Sequence, residues 1–354
     1  MNMGVSLVLK KIINLFECQN GDILADDITS KFGTEIVVKD SIMNEYMKQR
    51  LQDIGIKSVS IYQMNDKYQD SVSAGYMDFN NEYYESLKTI RQVIKNLATG
   101  ENLELHKIES VSNALYKYVM HDTNITIHLT KLRNYDESTY SHCLNVSIYA
   151  ALLGKWLNLN MSEIKKLIQA GILHDIGKTM ISKNILNKKG SLLPCEYEII
   201  KNHTILGYNM LKNIDAVPDE VKKAILLHHE RANGSGYPLG YKLEDLNLFS
   251  KAIAIVDVYD ATISDRVYKC RSTPFEAFEW FLGPGLSLFD VSLINIFCKN
   301  ISSSYIGAGI ILNNGSYGEI VHIPPHDISK PIIKVGSAYI DLSKQKDSNI
   351  IRLI

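Results

Sequence analysis

The sequence has few cysteines, no long apolar run and almost no net charge, and each lack excludes a class of protein. The five cysteines (Cys18, Cys143, Cys195, Cys270 and Cys298) are scattered and never stand in CxxC spacing, which argues against a disulfide framework or a cysteine zinc site. Reduced thiols of this kind are typical of a cytoplasmic protein. No run of about 18 apolar residues occurs, and the first residues lack a small-residue cleavage site, so neither a transmembrane helix nor a signal peptide is predicted.

The formal net charge of the chain is −1, so it has no global basic field that would gather nucleic acid or an anionic membrane. A small phosphorylated ligand stays compatible with this balance, because the charges within one cleft decide its binding. The length of 354 residues, with 45% hydrophobic and 22% charged residues, is that of a folded protein with more than one domain.

The composition changes along the chain and predicts four segments. Residues 1–75 read as a small α/β domain, for which a regulatory role is one interpretation. Residues 76–130 read as a helical connector, 131–300 as a helical domain and 301–354 as a small β extension. A homodimer through the long helices at 80–130 is a further expectation.

Local signals support the segments at both ends. In the first segment, EIVV (35–38) and SVSIY (58–62) are predicted strands, and the helix between them has Ser41 as its N-cap and Gly55 beyond its end. In the last segment, Asn314-Gly315 marks a hairpin turn, and KPIIKVGSAYIDL is predicted as one more strand.

Polar residues on apolar helical stripes are the informative feature of the central segment. In NMSEIKKLIQAGILHDIGK, Ser162 is the predicted N-cap, and Ile164, Leu167 and Ile168 mark one face. The same face continues to Asp175, beside His174. A carboxylate on a core-facing stripe is costly unless it is paired or bound to a metal.

The same pattern recurs in four further helical segments, which place His142, His203, His228 with His229, and Asp257 on apolar faces. A single histidine of this kind is usually a hydrogen-bonded core residue, but the interior of a helical bundle is also where carboxylate and imidazole metal sites are built. Five histidines and two aspartates exceed what one tetrahedral metal needs. They suit two metals with a bridging carboxylate, and the mixed donors fit iron, manganese or zinc.

HDIGK (174–178), HHE (228–230) and GSGYPLG (234–240) together resemble the HD superfamily of metal-dependent phosphohydrolases and, within it, the HD-GYP cyclic dinucleotide phosphodiesterases. The resemblance covers about 131–300. It implies a mainly α fold, in which an HD-type all-helical bundle is the catalytic domain between the small α/β domain and the small β extension.

The resemblance also implies a role for each matched residue. Asp175 bridges two divalent metal ions, with iron or manganese favoured and zinc compatible. The remaining ligands divide between the two ions, with His142, His174 and Asp257 at one and His203, His228 and His229 at the other. Lys178 contacts the phosphate of the substrate.

Four further positions each have two possible interpretations, one functional and one structural. Arg266 and Lys269 match a basic pair that relatives place near the ligand's phosphates, and a solvated helix face is the other interpretation. Tyr237 either lines the cleft and binds substrate or simply packs. Glu230 either orients a ligand histidine through its second nitrogen or forms a surface ion pair.

The expected activity is hydrolysis of cyclic di-GMP to pGpG, GMP or both, by a hydroxide that two metals activate. Relatives with a third metal have a glutamate four residues before the first ligand histidine, where this chain has Ser138, so two metals are predicted. Two alternatives stay open. One is a catalytically silent cyclic dinucleotide receptor, and the other is a hydrolase of another cyclic dinucleotide, such as cyclic GMP-AMP.

Overall fold

The structure is a computed structural model, and it describes residues 10–19, 22, 24–29, 35–37, 43, 45–62, 69–101, 103–121, 125–132, 139–188, 190–264, 272–345 and 347–353. The chain divides into two compact units, Met1–Met77 and Asp78–Ile354. The second unit contains nearly all of three predicted segments, and their separation into domains stays a prediction.

The first unit is a small α/β domain. Its elements are the strands β1 (Lys10–Asn14), β2 (Ile28–Thr29), β3 (Glu35–Val37) and β4 (Ser58–Tyr62) and the helix α1 (Glu45–Asp53). β1 pairs antiparallel with β4, and β2 pairs antiparallel with β3. Leu15, Leu24 and Leu51 are fully buried in its core. The predicted strands are present, whereas the predicted N-cap Ser41 lies outside the described residues.

The second unit is mainly helical, as predicted. Its helices are α2 (Gln69–Ala98, which begins just before the unit), α3 (Leu105–His121), α4 (Ile125–Leu132), α5 (Thr139–Trp156), α6 (Met161–Leu173), α7 (Lys183–Leu186), α8 (Pro194–Lys201), α9 (His203–Leu211), α10 (Asp219–Leu227), α11 (Leu248–Ile263), α12 (Pro274–Leu282) and α13 (Val291–Ser303). Within the described residues, none of the helices has both the length and the apolar character that crossing a membrane requires.

Helix α6 carries the HDIGK turn at its C-terminal end. Its N-cap is Asn160, so the predicted N-cap Ser162 is wrong. Asn160 and Glu163 form a capping box, in which the Glu163 backbone N–H donates to Asn160 Oδ1 (3.1 Å) and the Asn160 N–H donates to Glu163 Oε2 (3.0 Å). Ile164 is buried, as the predicted stripe requires, and His174 follows the last residue of the helix.

Helices α5 and α11 form the centre of the bundle. Every residue from Cys143 to Gly154 is buried, which makes α5 a core helix on all sides. The rings of Tyr149 in α5 and Tyr259 in α11 meet edge to face with centroids 5.2 Å apart, and the hydroxyl of Tyr259 lies 2.8 Å from that of Tyr305. This packing fixes the two helices that carry His142 and Asp257.

The C-terminal part is a five-stranded antiparallel sheet of β5 (Gly309–Leu312), β6 (Tyr317–His322), β7 (Ile332–Val335), β8 (Ala338–Asp341) and β9 (Ile350–Leu353), in the order β8-β7-β6-β5-β9. The predicted hairpin at Asn314-Gly315 joins β5 to β6. The single strand predicted for KPIIKVGSAYIDL is wrong. That segment is a second hairpin, in which Val335 pairs with Ala338 across a two-residue turn at Gly336.

Candidate metal centre

Three buried histidines of the bundle are oriented by the backbone. Nδ1 of each lies close to the carbonyl oxygen of the residue three positions earlier: His174 with Gly171 (2.8 Å), His203 with Ile200 (2.7 Å) and His228 with Ile225 (2.9 Å). A carbonyl only accepts hydrogen bonds, so Nδ1 must carry the proton and donate it. In the neutral form of each ring, the lone pair is therefore on Nε2.

One group of potential ligand atoms comes from four residues: Asp175, His203, His228 and His229. One such atom from each lies within 4.8 Å of all the others. Nε2 of His203 lies 3.3 Å from Nε2 of His228 and 3.3 Å from Oδ1 of Asp175. Two nitrogen lone pairs at this distance repel each other, and a cation bound by both removes the repulsion.

A second group contains Asp175 again, together with His142 and His174, whose ligand atoms also lie within 4.8 Å of one another. Asp257 adjoins this second group, because its Oδ1 is 3.0 Å from Nε2 of His142 and 3.9 Å from Nε2 of His174. The structure thus brings all seven residues predicted as metal ligands into two adjoining groups that share Asp175.

His142 has a carboxylate behind it that sequence reasoning missed. Nδ1 of His142 lies 2.7 Å from Oδ2 of Asp260, which is fully buried. Helical spacing could have indicated Asp260, because it follows Asp257 by three residues in α11 and therefore lies on the same helical face. A carboxylate against the second nitrogen of an imidazole sets the ring orientation and tautomer and raises its basicity as a ligand.

The donor set fits divalent metals. Among the described residues, Nε2 of His174 and Oδ1 of Asp175 are buried without a hydrogen-bond partner. Such atoms are costly in a protein interior, and each is a good ligand for a cation. Iron, manganese and zinc all accept this mixture of imidazole and carboxylate donors.

The pKa values of the site residues divide into two sets. Burial lowers the pKa of His203 and His228, and it lowers the pKa of His229 to about 3, so these imidazoles are neutral. Burial also acts to lower the pKa of His142, but the carboxylates of Asp257 and Asp260 outweigh it and raise the value to about 9.

Lys178 contributes the cation of the HDIGK turn. Its Nζ donates to Oδ2 of Asp175 at 2.5 Å, and its side chain is 28% exposed. Burial acts to lower the pKa of Lys178, but the Asp175 carboxylate outweighs it and the pKa ends above its ordinary value. For Asp175 burial acts to raise the pKa, and Lys178 with the nearby histidines holds it well below its ordinary value. The pair is therefore ionised beside the two groups.

Gly177 lets this turn approach helix α9. A Cβ at this position would lie 1.9 Å from the carbonyl oxygen of His203 and 2.5 Å from the backbone nitrogen of Gly207. Any side chain would push His203 away from Asp175, so the turn needs glycine here.

Glu230 holds the loop that follows His229. Its carboxylate accepts hydrogen bonds from three consecutive backbone N–H groups, those of Leu239 (2.6 Å), Gly240 (3.1 Å) and Tyr241 (3.0 Å). Its side chain is buried, and among the described residues its carboxylate bonds to these amides, not to a ligand histidine or a surface cation. Both interpretations offered for Glu230 are therefore corrected: the backbone amides of a sharply turned loop need an acceptor, and Glu230 supplies it.

Tyr237 lies against the second group. Its ring stacks on that of His229 with centroids 4.7 Å apart and an interplanar angle of 27°. The preceding glycine makes this approach feasible, because a Cβ on Gly236 would lie 2.4 Å from Cα of Glu230. Contact with substrate by Tyr237 stays a prediction.

One further sequence prediction is wrong in part, and three predicted positions lie outside the described residues. The apolar stripe that placed His203 is wrong at Ile199, which is 43% exposed, because the segment is two helices and His203 begins the second. Arg266, Lys269 and Ser138 lie outside the described residues. The roles of the basic pair and the number of metals therefore stay predictions.

Comparison with known proteins agrees with this geometry. The family described as "HD domain" matches residues 122–293. A curated relative named cyclic di-GMP phosphodiesterase PA4108, from Pseudomonas aeruginosa, is 30% identical over 247 residues, which are 69% of this chain and 58% of that protein. The chain belongs to the HD-GYP family.

A second curated relative and one solved structure are also similar to this HD-GYP chain. A relative named 3'3'-cGAMP-specific phosphodiesterase 3, from Vibrio cholerae, is 30% identical over 131 residues, which are 37% of this chain and 28% of that protein. The solved structure of Bd1817, an HDG"Y"P protein from Bdellovibrio bacteriovorus, superposes with a TM-score of 0.55 at 15% identity, over 81% of this chain and 98% of that one. The structural likeness supports the HD-type fold. The chain spans 58% or less of the length of these two curated relatives.

Proposed function

We propose that this chain is a metal-dependent phosphodiesterase that hydrolyses cyclic di-GMP to pGpG, GMP or both. The observation that carries the proposal is the pair of ligand groups that share Asp175. Two adjacent divalent metals supply Lewis-acid polarisation of a phosphodiester and activation of water. The name of the relative from Pseudomonas aeruginosa supports cyclic di-GMP as the substrate.

In this proposal the residues divide between two metals as the resemblance implies. His142, His174 and Asp257 would hold one metal, and His203, His228 and His229 would hold the other, with Asp175 as a ligand common to both. Iron or manganese is the proposed metal, and zinc is compatible with the same donors.

The surrounding residues position these ligands and receive the substrate. Asp260 and the backbone carbonyls orient the imidazoles, and Glu230 holds the loop that carries Tyr237. Lys178 is ionised and partly exposed, so it can offset negative charge that develops on the phosphoryl oxygens during hydrolysis. Arg266 and Lys269 are proposed to contact the ligand's phosphates.

The test is anaerobic purification, elemental analysis and incubation of the same sample with cyclic di-GMP, followed by separation of the products. We expect about two metal equivalents per chain and the appearance of pGpG or GMP. His174→Ala and Asp175→Ala should abolish turnover. Binding of cyclic di-GMP by the metal-loaded protein without hydrolysis would contradict the proposal and favour a receptor.

A second candidate substrate is cyclic GMP-AMP, which the name of the Vibrio cholerae relative favours. The same incubation with cyclic GMP-AMP as the competing substrate decides between the two. A higher kcat/KM for cyclic GMP-AMP than for cyclic di-GMP would replace the substrate in our proposal and leave the metal centre in place.

A further inference from the structure

Helix α8 presents a tyrosine and a lysine that the proposed chemistry does not use. None of the residues of α8 is buried, and Tyr197 keeps 47% of its surface exposed. Lys201 lies one turn later on the same face, and its Nζ is 4.9 Å from the centroid of the Tyr197 ring. This helix therefore displays an aromatic face and a cation instead of packing into the core.

The pair adjoins the metal centre. Nζ of Lys201 also lies 5.7 Å from the centroid of the Tyr237 ring, and Tyr237 stacks on His229 at 4.7 Å. Lys201 thus stands between two aromatic rings, one of which touches a residue of the ligand groups. Glu198 holds the ammonium in this place, with Oε1 2.7 Å from Nζ of Lys201.

We propose that Tyr197 and Lys201 form a subsite for one purine base of a cyclic dinucleotide, a proposal that rests on the proposed function. A cyclic dinucleotide whose phosphodiester lies at the metals projects its bases away from them, and an exposed aromatic ring beside the site is a stacking platform. Tyr197 stacks on the base, and Lys201 donates to its edge.

The cation gives the subsite a preference among purines. Guanine presents two acceptors, O6 and N7, on its Hoogsteen edge, and a lysine donates to both. Adenine presents N7 beside the N6 amino group, which is a donor and meets the ammonium unfavourably. The subsite therefore selects guanine over adenine.

The experiment uses the metal-loaded full chain and three substrates: cyclic di-GMP, cyclic di-AMP and bis(4-nitrophenyl) phosphate, a diester without a base. Tyr197→Ala should raise KM for cyclic di-GMP by about tenfold, the size expected for one lost base stack, and Tyr197→Phe should restore it. The rise in KM for cyclic di-GMP should exceed any rise in KM for bis(4-nitrophenyl) phosphate by the same factor. Tyr339→Ala, at a tyrosine of β8 that is 69% exposed, is the matched control and should change no constant.

Lys201→Gln tests the preference. A glutamine side chain pairs with N6 and N7 of adenine, so the ratio of kcat/KM for cyclic di-GMP to that for cyclic di-AMP should fall by about tenfold or more. An unchanged ratio, or an equal loss by Tyr197→Ala on all three diesters, would show that the pair only packs on the surface and would overturn the proposal.

Failure of the subsite is distinguishable from failure of the proposed function. If the wild-type chain does not hydrolyse cyclic di-GMP, the proposed function is wrong, and equilibrium binding of pGpG still tests the subsite. Weaker binding of pGpG to Tyr197→Ala by about tenfold supports the subsite, and equal binding overturns it.

Discussion

Nδ1 of His142 lies 2.7 Å from the buried carboxylate of Asp260, while Nε2 of the same ring lies 3.0 Å from Asp257. Both carboxylates come from α11, whereas His142 comes from α5. The ring is therefore held between two turns of a neighbouring helix, and its Nε2 faces the ligand group.

Asp260→Asn should weaken metal binding at the group that contains His142. The amide keeps the size of the side chain but loses the charge that fixes and polarises the imidazole, and we expect a loss of about 10- to 100-fold in metal affinity. Titration with a competing chelator measures it. Asp215→Asn, at an exposed aspartate, is the matched control. Equal affinities of the two variants would contradict the positioning role of Asp260.

Removal of the metals should destabilise the bundle. The close approach of Nε2 of His203 and Nε2 of His228, at 3.3 Å, leaves two lone pairs facing each other when no cation is bound. Binding at a metal concentration of about 100 times Kd stabilises the folded state by about 2.7 kcal/mol. A chelator should therefore lower Tm in the wild type and lower it by less in His203→Ala, which keeps the ligand group of the other proposed metal. A chelator-induced drop of equal size in both proteins would assign the effect to a different site.

Metal affinity should rise with pH up to about 9. Metal binding displaces the proton from His142, whose pKa in the metal-free protein is raised to about 9 by Asp257 and Asp260, whereas His229, with a pKa of about 3, is already neutral. Below the pKa of His142, each pH unit should raise the affinity by about tenfold for the one proton released, and the dependence should level off above it.

The measurement is the affinity of the metal-free protein at fixed metal activity from pH 6 to about 10. Asp260→Asn should move the plateau to lower pH, because it removes one carboxylate that raises the pKa of His142. A pH-independent affinity in the wild type would refute the protonated state of His142.

Glu230→Gln should loosen the loop without removing a metal ligand. The amide oxygen can accept some of the bonds from Leu239, Gly240 and Tyr241, but its NH₂ group meets an N–H donor. A buried donor left unsatisfied costs about 1–3 kcal/mol. The free energy of unfolding should fall by this amount, and the amides of 239–241 should exchange faster with solvent. The matched control, Glu244→Gln at an exposed position, should show neither effect.

The clustering of the candidate metal ligands could be predicted largely from sequence, because every candidate ligand except His203 stands on or at the end of a correctly predicted apolar stripe. The role of Glu230 could not, because its partners are backbone amides that appear only when the loop has its shape. Asp260 was within reach of the helical spacing from Asp257, but a second aspartate on one helix gives no sign of which histidine it faces. The break between α8 and α9 at Asn202 was missed, since both helices are short and Ile199 looks like a core residue in sequence.

The three imidazoles whose Nδ1 atoms donate to carbonyl oxygens are anchored to main chain, not to side chains. Substitutions around them cannot rotate these rings as long as the helical turn behind each ring persists. The side chains proposed to contact the substrate, on α8 and on the loop after His229, can consequently change without altering the positions of these three imidazoles. A fold of this kind can acquire a different substrate through substitutions around the site, while the arrangement of the candidate metal-binding atoms stays the same.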